Sequence, residues 1–545
     1  MGMTRRKFVG SVAATGAGVL ASRSLGFGRS GFQGNSVSLA AGTKPNIVLI
    51  FPDEWRGDAI GTLGLLPVQT PNLDTIAKNG VFFSNCFTCG PLCMPARASM
   101  MTGQYVHEHG QWNNSPPARD PSSPSHVRRM RDEAGYRTAL IGKAHLYLGH
   151  TVQEGKSILS QWGFGSADEI MDAFGLAMPE NSDTSWAQWL GTEKYNQFLA
   201  YMNNYRPLYE NLNPWGTPPL DMSPPPPPDP PYNGPYDLTS ADHYDTYVGD
   251  TAAQWIRNYG GAKPFYLQAN FPGPHYPVNS TTDFRQLFKL ADMGLGIYKH
   301  PQDPLPPMVE FSGSVTCDIH DMTEQQMRQM RKIYFAYQTM VDVGIGKIVQ
   351  ALVDKGFDDN TWIFFCSDHG EMLGDHFLMY KMVFYESSTK VPLLIRPPKQ
   401  AVAAGWVSAG LTDHLDLATS ILDLGGLSPM FADRGTSLLD KVAAGPKGVG
   451  AQQGKEQVVS EIIFGTDVRQ FMLRTPTHKM NVQLSTPLEP IELYDLVEDP
   501  TELTNHIQDS SYQHVRAQML DRVNTFLSDT HYMPLSIARR HLLRR

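Results

Sequence analysis

Short apolar runs alternate along this chain with longer segments of helical periodicity. The runs are rich in β-branched and aromatic residues and end at Pro, Gly or charged residues, as strands buried on both faces do. Between the runs, apolar residues recur at helical spacing, for example over residues 72–79 and 324–355. The alternation predicts an α/β fold in which helices cover both faces of a mostly parallel sheet. The predicted strands are residues 47–51, 138–141, 265–267, 362–366 and 391–395.

Charged side chains follow four of these strands, at the point where each strand ends. A single Asp at a strand end is as readily a helix cap or a turn residue. Four such ends are harder to explain structurally, because the carboxyl ends of parallel strands meet at one edge of the sheet, where active sites form. The residues are Asp53 and Glu54, then Lys143 and His145, then His275, and finally Asp368 and His369.

Three carboxylates and an imidazole from the first and fourth strand ends can surround one divalent cation. We predict that Asp53, Glu54, Asp368 and His369 are the metal ligands. Oxygen ligands favour Ca²⁺, our first choice, and also Mg²⁺ or Mn²⁺, whereas the imidazole is compatible with a transition metal such as Zn²⁺. Glu54 has an alternative interpretation as a solvated side chain beside the true ligands.

Three of the five cysteines, Cys86, Cys89 and Cys93, lie within eight residues. A metal or iron–sulfur cluster would need a fourth ligand at a suitable spacing, and the sequence offers none. A disulfide between Cys86 and Cys89 is an alternative. The residues around Cys93 are more informative.

Two segments carry recognisable motifs. Residues 91–103 read PLCMPARASMMTG, which contains a C-x-P-x-R pattern, and residues 135–145 read GYRTALIGKAH. They resemble the first and second signatures of the sulfatase family. Further segments resemble that family in the same order along the chain: residues 263–275, 367–371, 374–381, 385–386 and 492–502.

The resemblance implies an alkaline-phosphatase-like fold, with a mostly parallel sheet sandwiched by helices and a smaller C-terminal α+β subdomain. At 545 residues the chain is long enough for two or three domains. We place the catalytic domain at residues 42–398 and the subdomain with its basic tail at residues 399–545. Residues 155–235 are an aromatic and Pro-rich insertion, which either forms a wall that narrows substrate choice or is a satellite hydrophobic cluster under a long loop.

The resemblance also implies a nucleophile. In sulfatases the Cys of C-x-P-x-R is converted to formylglycine, so Cys93 is expected to become this aldehyde through a maturation enzyme. Its hydrated form offers one hydroxyl that attacks sulfur and a second whose deprotonation expels the sulfate. Metal coordination lowers the pKa of the attacking oxygen, Asp368 can take its proton, and Arg97 holds the aldehyde and the neighbouring charge.

Other residues are expected to act on the ester, a small-molecule or saccharide sulfate. By the resemblance, Lys143 and Lys381 face its non-bridging oxygens. His275 protonates the leaving oxygen, alone or with Lys381, and His145 removes a proton from the sulfated diol. Asn114 is a candidate substrate contact, with a turn residue as the alternative.

Three residues depart from the usual sulfatase pattern: Met94 replaces a small residue, His369 replaces Asn, and Glu54 replaces Asp. His369 looks more like the choline-sulfatase and phosphonate monoester hydrolase branches, which also use formylglycine. A phosphonate monoester or phosphodiester hydrolase is therefore an alternative, although the Lys143-x-His145 pair favours sulfate. A non-catalytic binding protein and a cysteine-ligated redox protein are further alternatives, disfavoured because the polar groups needed for turnover are all present.

The N-terminal segment has the features of a targeting signal rather than of the folded domain. A pair of arginines, Arg5 and Arg6, precedes a weakly apolar, Gly- and Ala-rich stretch, and residues 1–41 resemble a twin-arginine export signal with its linker. We therefore expect the twin-arginine translocase as a partner and a periplasmic or secreted location. No other segment reaches 18 uninterrupted apolar residues, so no transmembrane segment is expected in the mature protein. The formal charge of −9 argues against nucleic acid as a partner.

Overall fold

The structure, a computed structural model, describes most of the chain from Lys44 onward. The predicted export signal lies outside the described residues, as do the proline run at residues 224–228 and the domain boundary predicted after residue 398. Those expectations stay predictions. The described residues are 44–115, 118–147, 152–177, 183–210, 238–299, 317–318, 322–398, 405–448, 450–464 and 468–532.

A nine-stranded sheet organises the larger part of the molecule. Its order is β10-β2-β9-β7-β1-β5-β3-β4, and β11 also pairs with β2. All pairings are parallel except those that β9 makes with β2 and β7. The predicted mostly parallel sheet is confirmed. Its strands are β1 Asn46–Ile50, β2 Val81–Phe87, β3 Arg137–Gly142, β4 Ser166–Asp168, β5 Phe265–Asn270, β7 Thr361–Cys366, β9 Lys390–Arg396, β10 Trp406–Ser408 and β11 Thr412–Asp413; β6 Cys317–Asp318 and β8 Leu378–Met379 pair separately.

Helices cover both faces of this sheet, as the continuous apolar strands require. They are α1 Pro71–Lys78, α2 Cys93–Thr102, α3 Val106–His109, α4 His126–Asp132, α5 Val152–Trp162, α6 Ala173–Leu176, α7 Ser185–Leu190, α8 Thr192–Glu210, α9 Tyr244–Asn258, α10 Thr282–Arg285, α11 Glu324–Asp354, α12 Glu386–Thr389, α13 His414–Leu424, α14 Leu439–Ala444 and α15 Gln513–Asp529. Among the described residues, no helix is long and apolar enough to cross a membrane.

The central strand β1 shows how the two cores form. Because side chains alternate along a strand, Val48 and Ile50 join the core formed with α1, α9 and α11, whereas Ile47 and Leu49 join the core formed with α2, α4, α5 and α13. All four side chains are fully buried. Burial of each contributes about 1.5–3 kcal/mol to the free energy of unfolding, so the sheet is a rigid base for its loops.

A second sheet of four antiparallel strands, β12-β13-β14-β15, lies near the C-terminus and carries α15 on one face. Its first strand is tied to the loop before α2, because the backbone N–H of Glu461 donates to the carbonyl of Cys89. This sheet and its helix match the predicted smaller C-terminal α+β subdomain. Its strands are β12 Val458–Phe464, β13 Val468–Arg474, β14 His478–Gln483 and β15 Glu489–Asp495.

The described part of the predicted insertion packs into the main cores. Trp186, Tyr195 and Tyr201 are buried in the core that includes Val48, and Trp162 is buried in the opposite core. Trp189 is the aromatic residue of this part whose side chain is substantially exposed, at 46%. The packing favours the interpretation as a hydrophobic cluster for the residues that the structure describes.

Candidate active site

The predicted strand-end residues meet at one edge of the main sheet, and Cys93 joins them as the first residue of α2. Its Sγ lies 3.2 Å from His369 Nε2 and 3.6 Å from Asp53 Oδ1. The side chain is fully buried, and this burial raises the pKa of the Cys93 thiol, helped by the charge of Asp53. In this environment residue 93 is therefore a neutral thiol at neutral pH, a poor nucleophile without modification.

Arg97 holds two of the carboxylates in place. Its Nε donates to Asp368 Oδ2 at 2.9 Å and its Nη2 to Asp53 Oδ2 at 3.1 Å. The remaining Nη1 donates to the carbonyl of Lys143 at 2.8 Å. The planar guanidinium thus bonds three groups at once in a fixed planar arrangement, which a lysine ammonium does not provide. Arg97 therefore bonds two carboxylates of the site, and its role in holding the aldehyde and the neighbouring charge stays a prediction.

Lys143 is a fully buried ammonium between two carboxylates. Its Nζ lies 2.8 Å from Asp53 Oδ2 and 2.7 Å from Asp172 Oδ2. Burial alone would lower the pKa of Lys143, but Asp172 and then Asp53 raise it well above its ordinary value. Asp172 is a site residue that the sequence analysis missed, because it follows β4, a three-residue edge strand with no apolar run to mark it.

Glu54 forms a second charged group with Lys381 and His275. Lys381 Nζ donates to Glu54 Oε2 at 2.7 Å, and His275 Nε2 lies 3.5 Å from the same oxygen. Burial would raise the pKa of Glu54, but Lys381 and His275 lower it to about 2. Burial, Lys381 and Lys143 lower the pKa of His275, so the imidazole is neutral at neutral pH and Lys381 carries the charge.

The buried carboxyl of Glu371 lies behind Glu54. Burial and the charge of Glu54 raise the pKa of Glu371 well above its ordinary value, and its hydrogen bond to Glu54 stabilises the Glu54 anion. Glu371 Oε1 also accepts from the backbone N–H groups of Leu373 and Tyr380. The opposite shifts of the two pKa values favour the negative charge on Glu54, where it pairs with Lys381.

His145 completes the edge beside Lys143. Its backbone has φ = 50°, the left-handed region that non-glycine residues rarely adopt. Burial and the charge of Lys143 lower the pKa of His145 well below its ordinary value. Its Nδ1 is buried and forms no hydrogen bond with any described residue. A neutral imidazole with an unused nitrogen can accept a proton from a bound group.

Asn114 holds the helix that carries Cys93. Its Oδ1 accepts from the backbone N–H of Met94 at 2.9 Å. The first backbone N–H groups of a helix have no partner within it, so this bond caps α2 from a distant loop. In the structure Asn114 has this structural role, and Met94 itself is buried.

Four of the buried groups are arranged as a metal centre would require. Ligand atoms of Asp53, Cys93, Asp368 and His369 all lie within 4.8 Å of one another. His369 Nδ1 lies 2.9 Å from the carbonyl of Gly370, which can only accept, so Nδ1 carries the proton and the lone pair of Nε2 points into the group. Three predicted ligands therefore fit a divalent cation.

Glu54 is the predicted ligand that this group does not include. A carboxylate oxygen of Glu54 lies instead within 4.8 Å of ligand atoms of Asp53 and His275, and the charge of Lys381 neutralises this carboxylate. The physical reason is the left-handed backbone of Glu54, φ = 65°, whose N–H donates to Asp368 Oδ1. The main chain of Glu54 thus lies against the metal set, while its side chain lies with Lys381 and His275.

The cysteine alternatives are not supported. Cys86 and Cys89 are both free and buried, which contradicts the alternative of a disulfide between them. Among the described residues the metal-like groups contain Cys93 alone of the cysteines. Cys86 lies in β2 and pairs with strand residues, so its side chain belongs to the sheet core.

Carboxylates, cations and a buried residue 93 at the carboxyl edge of such a sheet define a hydrolase of the alkaline phosphatase superfamily. The family profile described as Sulfatase matches residues 45–427, and one described as N-sulphoglucosamine sulphohydrolase, C-terminal, matches residues 374–529. This chain belongs to the sulfatase family and is a sulfatase enzyme.

Known proteins show the same likeness over most of the chain. The arylsulfatase of Clostridium perfringens is 26% identical over 485 residues, 86% of this chain and 92% of its own length. The choline-sulfatase of Rhizobium meliloti is 28% identical over 483 residues, 85% and 82% of the two lengths. The structure of the phosphonate monoester hydrolase of Agrobacterium radiobacter covers 89% of this chain and 96% of its own, with a TM-score of 0.68 and 24% identity, and so shares the fold.

Proposed function

We propose that this sulfatase cleaves a sulfate monoester with a formylglycine derived from Cys93 and a divalent metal held by Asp53, Asp368 and His369. The observation that carries the proposal is the position of Cys93 Sγ, which faces Asp53 and His369 inside the group of ligand atoms. Ca²⁺ is the first choice for a set with two carboxylates, and Mn²⁺, Mg²⁺ and Zn²⁺ remain candidates.

The charges of the site suit a sulfate ester. When bound, the metal and the hydrated formylglycine supply a hydroxyl nucleophile and a second hydroxyl for the release of sulfate. Arg97 keeps Asp53 and Asp368 in their ligand orientation. The charges of Lys143 and Lys381 both act on residue 93, and their ammonium groups would stabilise the charge that develops on the non-bridging oxygens.

Two imidazoles are placed for proton transfer. Lys381 Nζ and His275 Nε2 both lie near Glu54 Oε2, so we assign to these two neighbouring groups the protonation of the leaving oxygen. At neutral pH, without substrate, Lys381 carries the positive charge and His275 is neutral. A bound anionic substrate would raise the pKa of His275, which is lowered in the free site. The unused Nδ1 of His145 serves as the acceptor in the second half of the reaction.

Phosphonate monoester or phosphodiester hydrolysis is the second candidate. His369 Nε2 lies within the metal set, at a position where many sulfatases are expected to have Asn. The fold shared with the phosphonate monoester hydrolase is also compatible with the hydrolysis of phosphorus esters. Tetrahedral sulfur and phosphorus esters would meet the same cations. The Lys143-x-His145 pair leads us to favour sulfate.

Processing and location belong to the same proposal. We expect a formylglycine-generating enzyme to modify Cys93, and the Arg5-Arg6 segment to direct the folded enzyme through the twin-arginine translocase to the periplasm or beyond. Small-molecule and saccharide sulfates are both candidate substrates. Expression of the full chain with and without the segment, followed by cell fractionation, tests the location.

One experiment tests the activity. The full chain is co-expressed with a maturation enzyme, and kcat/KM is compared for an aryl sulfate, an aryl phosphonate monoester and an aryl phosphodiester. We expect preference for sulfate, with activity lost in Cys93→Ala. Preference for a phosphorus ester would select the second candidate. Inactivity on all three, with the peptide mass showing complete conversion of residue 93, would overturn the proposal.

The metal is tested separately from turnover. Chelated protein is titrated with Ca²⁺, Mn²⁺, Mg²⁺ or Zn²⁺ while the thermal midpoint is followed, because a ligand that binds only the folded state raises it. Asp368→Asn should remove most of the shift. An equal shift in this variant would place the metal elsewhere.

A further inference from the structure

We propose that Glu169 and Asp172, in the loop that follows the edge strand β4, are positioning residues that hold His145 and Lys143 in place for catalysis. The inference rests on the proposed function and extends it to a segment at the start of the insertion. This segment resembles no sulfatase motif quoted above, and its two carboxylates reach the site from the outer edge of the sheet.

The pairing of β4 with β3 places the loop beside the residues that follow β3. β4 pairs in parallel with β3, with Ser166 opposite Ala139 and Asp168 opposite Ile141. Beyond the strands, the backbone N–H of Ile170 donates to the carbonyl of Gly142 at 3.4 Å. The loop therefore runs beside the residues that follow β3, among them Lys143 and His145.

Asp172 holds the side chain of Lys143. Its Oδ2 accepts from Lys143 Nζ at 2.7 Å, and its Oδ1 accepts from the backbone N–H of Gly175 at 3.1 Å. Lys143 is fully buried, and Asp172 is 13% exposed. A buried ammonium without a counter-charge is strongly destabilised, so its position depends on its carboxylate partners.

Asp172 differs from the other partner of Lys143. Asp53 is already bonded by Arg97 and belongs to the metal set, so its charge serves several groups. Asp172 has no other ion-pair partner among the described residues. Lys143 is therefore its ion-pair partner in this part of the chain, and its charge also acts on His145 and His275.

Glu169 holds the backbone of the same segment. Its Oε1 accepts from the N–H of Ala144 at 3.2 Å. Burial raises the pKa of Glu169 to about 8, although hydrogen bonds from the backbone of Ala144 and His145 act to lower it. Its other oxygen accepts from the Tyr147 hydroxyl. These bonds brace the turn in which His145 adopts its left-handed backbone, a conformation that is unfavourable for a residue with a side chain.

The test compares two variants, each of which removes one carboxylate charge at a nearby position in the sequence. Asp172→Asn removes the counter-charge of Lys143. Asp168→Asn removes a carboxylate four residues earlier, whose Oδ2 accepts from the Tyr247 hydroxyl and touches none of the site residues. Both are prepared with residue 93 fully converted, and kcat and KM are measured on the best ester of the wild type.

We expect Asp172→Asn to lower kcat about 10- to 100-fold, the size of effect that a misplaced catalytic group produces, with little change in KM. Asp168→Asn should stay within about twofold of the wild type. Asp172→Glu, which keeps the charge, should recover part of the loss. A lower KM with unchanged kcat would show only the removal of a negative charge from an anion site, and would overturn the proposal.

Glu169 has its own pair of variants. Glu169→Gln keeps an acceptor for the Ala144 N–H, whereas Glu169→Ala removes it. We expect kcat to fall in the Ala variant and to recover in the Gln variant. Equal activity of the Ala variant and the wild type would overturn the part of the proposal that concerns Glu169.

A thermal measurement separates this inference from the proposed function. Asp172→Asn, Lys143→Met and the double variant are melted without substrate. If the two residues act as a pair, the double variant melts no lower than the worse single variant, because neither charge is then left unpaired. Additive losses would overturn the pairing whatever the enzyme hydrolyses, whereas an inactive wild type with a coupled pair would overturn the proposed function alone.

Discussion

The buried guanidinium of Arg97 gives the sharpest stability prediction. It is 2% exposed and bonds Asp53 and Asp368, both fully buried. Arg97→Met keeps most of the side-chain length but leaves the two carboxylates with one cation fewer. Removal of one partner from a buried ion pair costs about 3–5 kcal/mol of unfolding free energy.

This free energy converts into a measurable midpoint shift. The matched sulfatase region spans about 380 residues, for which the unfolding entropy is about 0.8 kcal/mol/K. The thermal midpoint should therefore fall by about 4–6 °C. The control is Arg129→Met, which removes an Arg whose pair with Glu133 is exposed and contributes about 0.3–0.5 kcal/mol, a shift below about 1 °C.

The assay is thermal unfolding of chelated protein made without a maturation enzyme, so that residue 93 is Cys in every sample. Added Ca²⁺ should raise the midpoint more in Arg97→Met than in the wild type, because the metal would replace the lost positive charge beside Asp53 and Asp368. A midpoint within 1 °C of the wild type, or equal rescue by the metal, would refute the reasoning.

Three further predictions concern other contacts. Burial would lower the pKa of His107, but the charge of Glu461 raises it above its ordinary value. The stabilisation by protonated His107 is therefore complete below about pH 6.5 and is lost as the pH rises through the folded-state pKa. Between pH 6.5 and 9 the thermal midpoint of His107→Gln should fall less than that of the wild type, and parallel curves would contradict this. Asn114→Ala should lose about 1 kcal/mol in chemical denaturation because it uncaps the Met94 N–H; an unchanged free energy would deny the capping role. Lys381→Met should lower kcat about 10²- to 10³-fold on an aryl sulfate, as loss of a charge-stabilising donor does; an unchanged kcat would remove Lys381 from the reaction.

The sequence was sufficient to predict the central strands and their polar ends. Continuous apolar runs mark the strands that are buried on both faces, so β1, β3, β5, β7 and β9 were all found within a few residues of their bounds. β2 was missed because it contains Ser84 and Asn85, which are only half buried near a register shift. The antiparallel direction of β9 could not be read from an apolar run, which looks alike in both directions.

The residues of the candidate site were predictable, but several of their partners were not. Cys93 and Arg97 lie one helical turn apart, and their motif is visible in the sequence. The direction of the Glu54 side chain depends on a left-handed backbone at a non-glycine residue, which no sequence pattern signals. Asp172 reaches Lys143 only through the pairing of an edge strand, and such a long-range contact has no local signature.

The tie between Glu461 and Cys89 sets an order of events for the newly made chain. Cys93 is fully buried in the completed fold, and the loop before it is held by a strand that begins at Val458. If Cys93 is modified as we propose, the modifying enzyme would have to reach it before that strand folds against the loop. About 370 residues separate Cys93 from Glu461, so synthesis at about 5–20 residues per second leaves a window on the order of 20–70 s. Slower translation of the middle of the gene would lengthen this window and raise the converted fraction.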